Sequence, residues 1–156
     1  MEDVQYSKLS DQFIIQIMNM DCSPFPKERD SIYLSFYRFF RDTCWVATVN
    51  NEVIGFALGF IDQTKTTHGY LNYLFVKSEY RRLGIGERLL CYFENSLKAK
   101  GCELATLLTG KQENIKYYNK LGYSVNHDLE GWTEKDAVYD YYYNTKKVSL
   151  LIKELA

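Results

Sequence analysis

The residues whose types and spacing best suit chemistry are Arg81-Arg82-Leu83-Gly84-Ile85-Gly86. They follow an apolar run, Leu74-Phe75-Val76, and open a segment in which Ile85, Leu89, Phe93 and Leu97 recur every fourth residue. Glu87, Arg88, Glu94 and Lys98 fall on the other helical face. That order reads as strand, turn and amphipathic helix. Gly84 and Gly86 bare the backbone at the first helical turn, where N–H groups lack intrahelical partners and the dipole end is positive. Phosphate oxygens bind at such a turn, and two adjoining guanidinium groups suit them. Glycines alone would serve a tight turn; the strand before, the helix after and the arginines make this an anion site. A dinucleotide fingerprint is disfavoured, because Leu89 stands where its third glycine belongs, and no Lys-Ser or Lys-Thr follows as in a Walker loop.

The turn resembles the R/Q-x-x-G-x-G/A acyl-CoA signature of the GNAT superfamily of N-acyltransferases, and Leu74-Phe75-Val76 resembles the strand preceding it. A second stretch, Asn114-Ile115-Lys116-Tyr117-Tyr118-Asn119-Lys120-Leu121-Gly122-Tyr123, is similar to the family's N-I-x-F-Y-x-K-L-G-F segment, at the expected distance. The resemblance covers residues 46–122 well. It implies an α/β (α+β) fold: a mixed, mostly antiparallel central sheet with a splayed parallel strand pair and flanking helices, pantetheine filling the splay. It also implies an acyltransferase, a monomer or homodimer, that passes an acetyl group from acetyl-CoA, without a metal, to a primary amine of a small molecule or peptide.

Carried over residue by residue, the resemblance assigns cofactor contacts to Leu74, Phe75, Val76, Arg81, Arg82, Leu83, Gly84, Ile85, Gly86, Glu87, Asn114 and Tyr117. Tyr118 occupies the general-acid position. Lys111 stands where many members carry a cofactor-contacting Asn, for which Asn114 is the substitute. On the acceptor side the resemblance points to Tyr33 and Tyr37 in the second helical region, to His68, and to Tyr141 and Tyr142 in the loop that often covers the acceptor. Glu134 or Asp140 would recognise a cationic acceptor there; the same aromatic run reads equally as a hairpin.

The amine must lose a proton, at an unperturbed pKa of about 10.4, and the departing thiolate, from a thiol near about 8.5, must gain one. Some relatives carry a Glu base on the strand before the anion turn. Here that strand offers His68, Tyr70 and Asn72, of which His68 alone has a pKa near about 6.5; water is the other route. Other functions to be weighed are a non-catalytic acyl-CoA sensor, a protein N-terminal acetyltransferase and an aromatic surface for peptide or single-stranded RNA. Stacking on RNA needs basic companions, and only Lys146 and Lys147 adjoin the tyrosine run.

The elements that must position these groups follow from periodicity. Residues 4–9 alternate as a strand, and Ser10 caps a helix over Phe13, Ile14, Ile17 and Met18. After Pro24, a helix from about Pro26 carries Ile32, Phe36, Phe39 and Phe40 as core aromatics and aliphatics. Residues 43–49 and 52–62 form a hairpin about Asn50-Asn51, with Gly55 and Gly59 marking bulges. Residues 67–77 form the next strand, His68, Tyr70, Asn72, Leu74 and Val76 sharing one face by the period of two. Gly101 ends the central helix; residues 104–108 read as an interior strand, 112–121 as a helix ended at Gly122, and 123–125 and 148–152 as the last strands.

A chain of 156 residues fits one domain, 1–156. A net charge of −1 gives no broad electrostatic hold on nucleic acid or an anionic membrane, and no apolar run approaches the roughly 20 residues of a membrane span. The four cysteines, Cys22, Cys44, Cys91 and Cys102, lack metal-ligand spacing. With no signal sequence evident they are expected to be reduced thiols in a cytoplasmic protein, Cys91 half-buried on its helix.

Overall fold

The computed structural model describes residues 3–23, 27–125 and 149–156. Its elements are β1 (Gln5–Lys8), α1 (Asp11–Asn19), α2 (Asp30–Phe40), β2 (Cys44–Val49), β3 (Glu52–Ile61), β4 (His68–Val76), α3 (Ile85–Ala99), β5 (Leu104–Thr109), α4 (Gln112–Lys120), β6 (Ser124–Val125) and β7 (Ser149–Glu154). The strands make one sheet in the order β1-β2-β3-β4-β5-β7-β6. Among the described residues its pairs are antiparallel except β4 with β5. This is the mixed α/β architecture expected. No described helix is long and apolar enough to cross a membrane.

Helices cover both faces of the sheet. Ile85, Leu89, Phe93 and Leu97 of α3 pack with Ala47, Ala57 and Leu71, whereas α1 and α2 supply Phe13, Ile17, Tyr33 and Phe36 to a core with Val46, Phe56 and Phe75. α3 lies close on the strands because two glycines face it. A Cβ on Gly59 would stand 2.4 Å from the Phe93 ring, and one on Gly69 2.3 Å from Leu97. The β2–β3 turn forms as expected: Asn50 and Asn51 take φ of 50° and 65°, the left-handed pair that matches strand twist.

Several expectations are corrected. Ser10 holds the N-cap position of α1, yet its hydroxyl makes no capping bond and is buried without a partner. α2 starts at Asp30 rather than near Pro26, which lies outside the described residues, and its buried stripe is Tyr33 and Phe36. Phe39 is 72% exposed and Phe40 and Ile32 also face outward, since eleven residues present only a narrow stripe to the sheet. Glu94, placed by periodicity on the solvent side of α3, is buried, because the sheet's β6–β7 end covers a second flank of that helix.

A further correction bears on the site. Leu58 pairs with Tyr73 and Gly59 with Leu71, so Asn72 is an extra residue in β4. A bulge of this kind shifts the alternation by one. Leu71, Leu74 and Val76 therefore pack with the α3 core, and Tyr73 and Phe75 with the α1–α2 core. Tyr70 lies against Phe60 on the α1–α2 side at 5.3 Å between ring centroids, and His68 shares its face by alternation. The strand does not present His68, Tyr70, Leu74 and Val76 on one face.

Candidate active site

β4 and β5 pair only at His68/Leu104, Gly69/Ala105 and Tyr70/Thr106. Beyond Tyr70 the strands part, while β5 stays paired with β7 as far as Thr109/Ser149. Among the described residues no strand pairs with that edge of β4 from the bulge onward, which leaves room beside it for an extended ligand. A groove of about 570 Å³ opens beside it, walled by Leu74, Phe75 and Val76 of β4, by the turn through Arg81, Arg82, Gly84, Ile85, Gly86 and Glu87, and by Asn114, Tyr117 and Tyr118 of α4. Two sequence motifs far apart in the chain meet in one concavity. Leu83 is the exception: it is exposed, and it lines a second depression on the other side of the turn with Tyr6 and Arg88. Tyr80 also lines the groove and was missed by the sequence reading, since it stands alone in the turn Ser78–Tyr80 with no periodicity to mark it.

The turn is shaped for an anion. Arg82 (φ 64°) and Gly84 (φ 81°) are left-handed, a pattern that makes successive backbone N–H groups converge. α3 has no side-chain cap at its N-terminus, and a Cβ at Gly84 would meet nothing within 4 Å, so the space over these donors is open. The Arg81 Nε donates to the Val76 carbonyl at 2.9 Å, and its guanidinium lies 5.8 Å over the Phe75 ring, tying the turn to the end of β4. Arg82 is exposed. Gly86 lets Tyr117 lie close, its Cβ position being 2.8 Å from the Tyr117 hydroxyl oxygen.

At the groove's other wall, Tyr118 is held edge-on between two rings, Tyr117 at 5.2 Å and Tyr123 at 5.7 Å. Burial, helped by the neighbouring Tyr117, pushes the Tyr118 phenol well above its ordinary range, so at neutral pH it is a protonated donor. Tyr117 is raised as well, by burial and then by Glu87. The Asn114 Nδ2 donates to Thr109 Oγ1 at 3.3 Å, fixing the start of α4 to the end of β5.

The acceptor candidates are more scattered. Tyr33 is buried, its hydroxyl accepting the Glu28 N–H at 3.4 Å and its ring 6.2 Å from Tyr73. Tyr37 is half-buried with the Arg41 guanidinium 5.3 Å over its ring. Beside the bulge the Tyr73 phenol is raised by burial and then by the Glu28 carboxylate hydrogen-bonded to it. Neither Glu28 nor Tyr73 was foreseen, because only the bulge turns Tyr73 to this face. His68 sits six residues before Leu74, roughly 20 Å along an extended strand. It is buried in a separate depression with Phe60 and Tyr70, its Nδ1 without a hydrogen-bond partner. Tyr141, Tyr142, Glu134 and Asp140 lie outside the described residues. Cys91 is exposed rather than half-buried, while the other three thiols are buried.

A sheet that parts at a parallel pair, with a bare helix start beside the opening, leaves a slot for an extended ligand that ends in an anion. The acetyltransferase (GNAT) family model matches residues 13–123, and the chain belongs to that family. An uncharacterised N-acetyltransferase of Methanocaldococcus jannaschii is 30% identical over 105 residues, 65% of this chain and 63% of that protein. The match thus spans less than two thirds of that relative. Among solved structures, the NatC complex bound to Gag peptide and CoA aligns over 100% of both chains with a TM-score of 0.81 at 20% identity. Diaminobutyrate acetyltransferase from Paenibacillus lautus, in complex with L-2,4-diaminobutyric acid and coenzyme A, aligns over 99% of this chain and 97% of its own with a TM-score of 0.71 at 16% identity. At such identities the likeness is one of fold.

Proposed function

We propose that this acyltransferase moves the acetyl group of acetyl-CoA directly to a primary amine of a small molecule or peptide, with Tyr118 as general acid. The observation that carries the reading is the shared groove: the anion turn opens it and the protonated Tyr118 phenol lines it. The residues fit the co-substrate. Converging N–H groups and Arg82 suit the pyrophosphate, the free edge of β4 suits the pantetheine amides, and Leu74 and Val76 give the remaining arm an apolar wall.

The acceptor approaches from the α1–α2 face, where the Glu28 carboxylate and the Tyr73 hydroxyl lie beside the bulge and suit a cationic amine. Its ammonium proton leaves through water, because His68 stands at the far end of β4. The amine nitrogen then bonds to the acetyl carbon and gives a second proton to water, and the carbon–sulfur bond breaks, the electron pair staying on sulfur. Tyr118 gives that sulfur its proton and is reprotonated from solvent. The low-dielectric surroundings that keep the phenol neutral also disfavour a free thiolate, which raises the sulfur's own demand for a proton as the carbon–sulfur bond breaks.

A panel of amines and short peptides, followed by CoA release, identifies the acceptor. With the best one, Tyr118→Phe should lower the single-turnover rate by roughly 10²- to 10⁴-fold, with acetyl-CoA affinity kept. An unaltered rate across pH would remove Tyr118 from the chemistry.

A further inference from the structure

The proposed reaction leaves unused a buried charged cluster on the far side of Tyr118 from the groove. Glu94 is 8% exposed on α3 and accepts two hydrogen bonds, one from the Tyr123 hydroxyl and one from Lys153 Nζ, each at 2.8 Å. Tyr123 is 2% exposed, and the Lys153 ammonium lies 5.8 Å from its ring centre. Burying a carboxylate is costly unless it is paired and hydrogen-bonded, so three elements, α3, the end of α4 and β7, must keep one relative placement.

Tyr123 is tied to Tyr118 in two ways. Its N–H donates to the Tyr118 carbonyl at 3.0 Å as α4 closes at Gly122, and its ring meets the Tyr118 ring at 5.7 Å and 70°. The hydroxyl bond to Glu94 fixes where that ring stands. α3 begins with the anion turn and α4 carries Tyr118, so the bond sets the spacing between the seat of the pyrophosphate and the phenol. One CoA molecule must span both.

We infer that Tyr123 and Glu94 are positioning residues for acetyl transfer: the Glu94–Tyr123 hydrogen bond holds the Tyr118 ring at the height where its hydroxyl meets the CoA sulfur. This rests on the reading of Tyr118 as the general acid. Tyr123→Phe keeps the ring and removes the tether. Small misplacements of a reacting group cost up to about a hundredfold, and the expected loss in single-turnover rate is roughly tenfold, with the Kd for acetyl-CoA unchanged.

A double-mutant cycle with Tyr118→Phe tests it. If Tyr123 acts through the Tyr118 hydroxyl, Tyr123→Phe should change the rate by less than about twofold once that hydroxyl is gone. An equal loss in both backgrounds, or a matching rise in Kd, would overturn the positioning role while leaving Tyr118 as the acid. No loss from Tyr118→Phe alone would instead overturn the acid assignment and this inference with it. Should Tyr123→Phe not fold, Glu94 carries the test: Glu94→Gln still offers a carbonyl to the Tyr123 hydroxyl and should retain more of the rate than Glu94→Leu. Equal losses from the two would contradict the inference.

Discussion

Gly84→Ala is the substitution whose consequences the structure defines most sharply. A Cβ there meets no atom within 4 Å, so crowding plays no part; φ of 81° does. An L-residue held in the left-handed region costs about 1–2 kcal/mol. For a domain of this size each kcal/mol lowers Tm by roughly 2–4 °C, so a fall of roughly 2–8 °C is expected by scanning calorimetry. If alanine instead relaxes the turn, the converging N–H groups diverge. A hydrogen bond to a charged group is worth about 1.5–3 kcal/mol, so losing one weakens acetyl-CoA binding roughly 10- to 150-fold. Gly86→Ala is the control, because the one atom its Cβ would crowd is the movable Tyr117 hydroxyl at 2.8 Å, with Val76 at an ordinary 3.7 Å, and its φ is not left-handed. It should cost less in Tm. Titration calorimetry at fixed ionic strength reads the affinities; a Gly84→Ala protein that melts as wild type and binds acetyl-CoA equally well would refute the account of the turn.

Gly59→Ala places a methyl 2.4 Å from the Phe93 ring and 2.5 Å from the Tyr70 carbonyl, backbone on one side and core on the other, and overpacking of this kind costs about 1–3 kcal/mol. A urea midpoint indistinguishable from wild type would mean that α3 has slack above β3. Tyr73, Tyr118 and Tyr123 are all raised by burial, so their contribution to stability is whole below the unfolded phenol value of about 10 and is lost as pH rises beyond it. Urea midpoints should begin to fall above about pH 8.5, where the buried thiols of Cys22, Cys44 and Cys102, also raised, join in, and fall more steeply above about pH 10; a level profile through about pH 11 would contradict the burial of these groups. Of the four thiols, exposed Cys91 should take a thiol reagent in the folded protein, whereas Cys44, pushed up to about 12 by burial, should react only on unfolding. Mass spectrometry showing several adducts on the native chain would refute this.

What could be read from the sequence was local. The anion turn, the seam of α3 and the Asn50-Asn51 turn each declare themselves within a few residues, through glycine and asparagine conformations and a repeat of four. What escaped depends on partners distant in the chain. Periodicity put Glu94 in solvent because its partners lie 29 and 59 residues away. The bulge at Asn72 leaves no mark in the alternation of β4, since it arises from pairing with β3, and it turns Tyr70 and Leu74 to opposite faces. The same break separates His68 from the groove. Tyr80 and Glu28 belong to no repeat, and only folding brings them to the site.

The central claim is that the parting of β4 from β5, opened by the turn at Gly84, seats acetyl-CoA. Titrating the ¹⁵N-labelled protein with acetyl-CoA and following its amide resonances tests this without mutation. The largest shifts should fall on Leu74, Phe75 and Val76, on the turn from Arg82 to Glu87, and on Asn114, Tyr117 and Tyr118, while the amides of His68 and of α1 move little. Shifts confined to the depression beside His68, or spread along α1 and α2 with the turn unmoved, would contradict it.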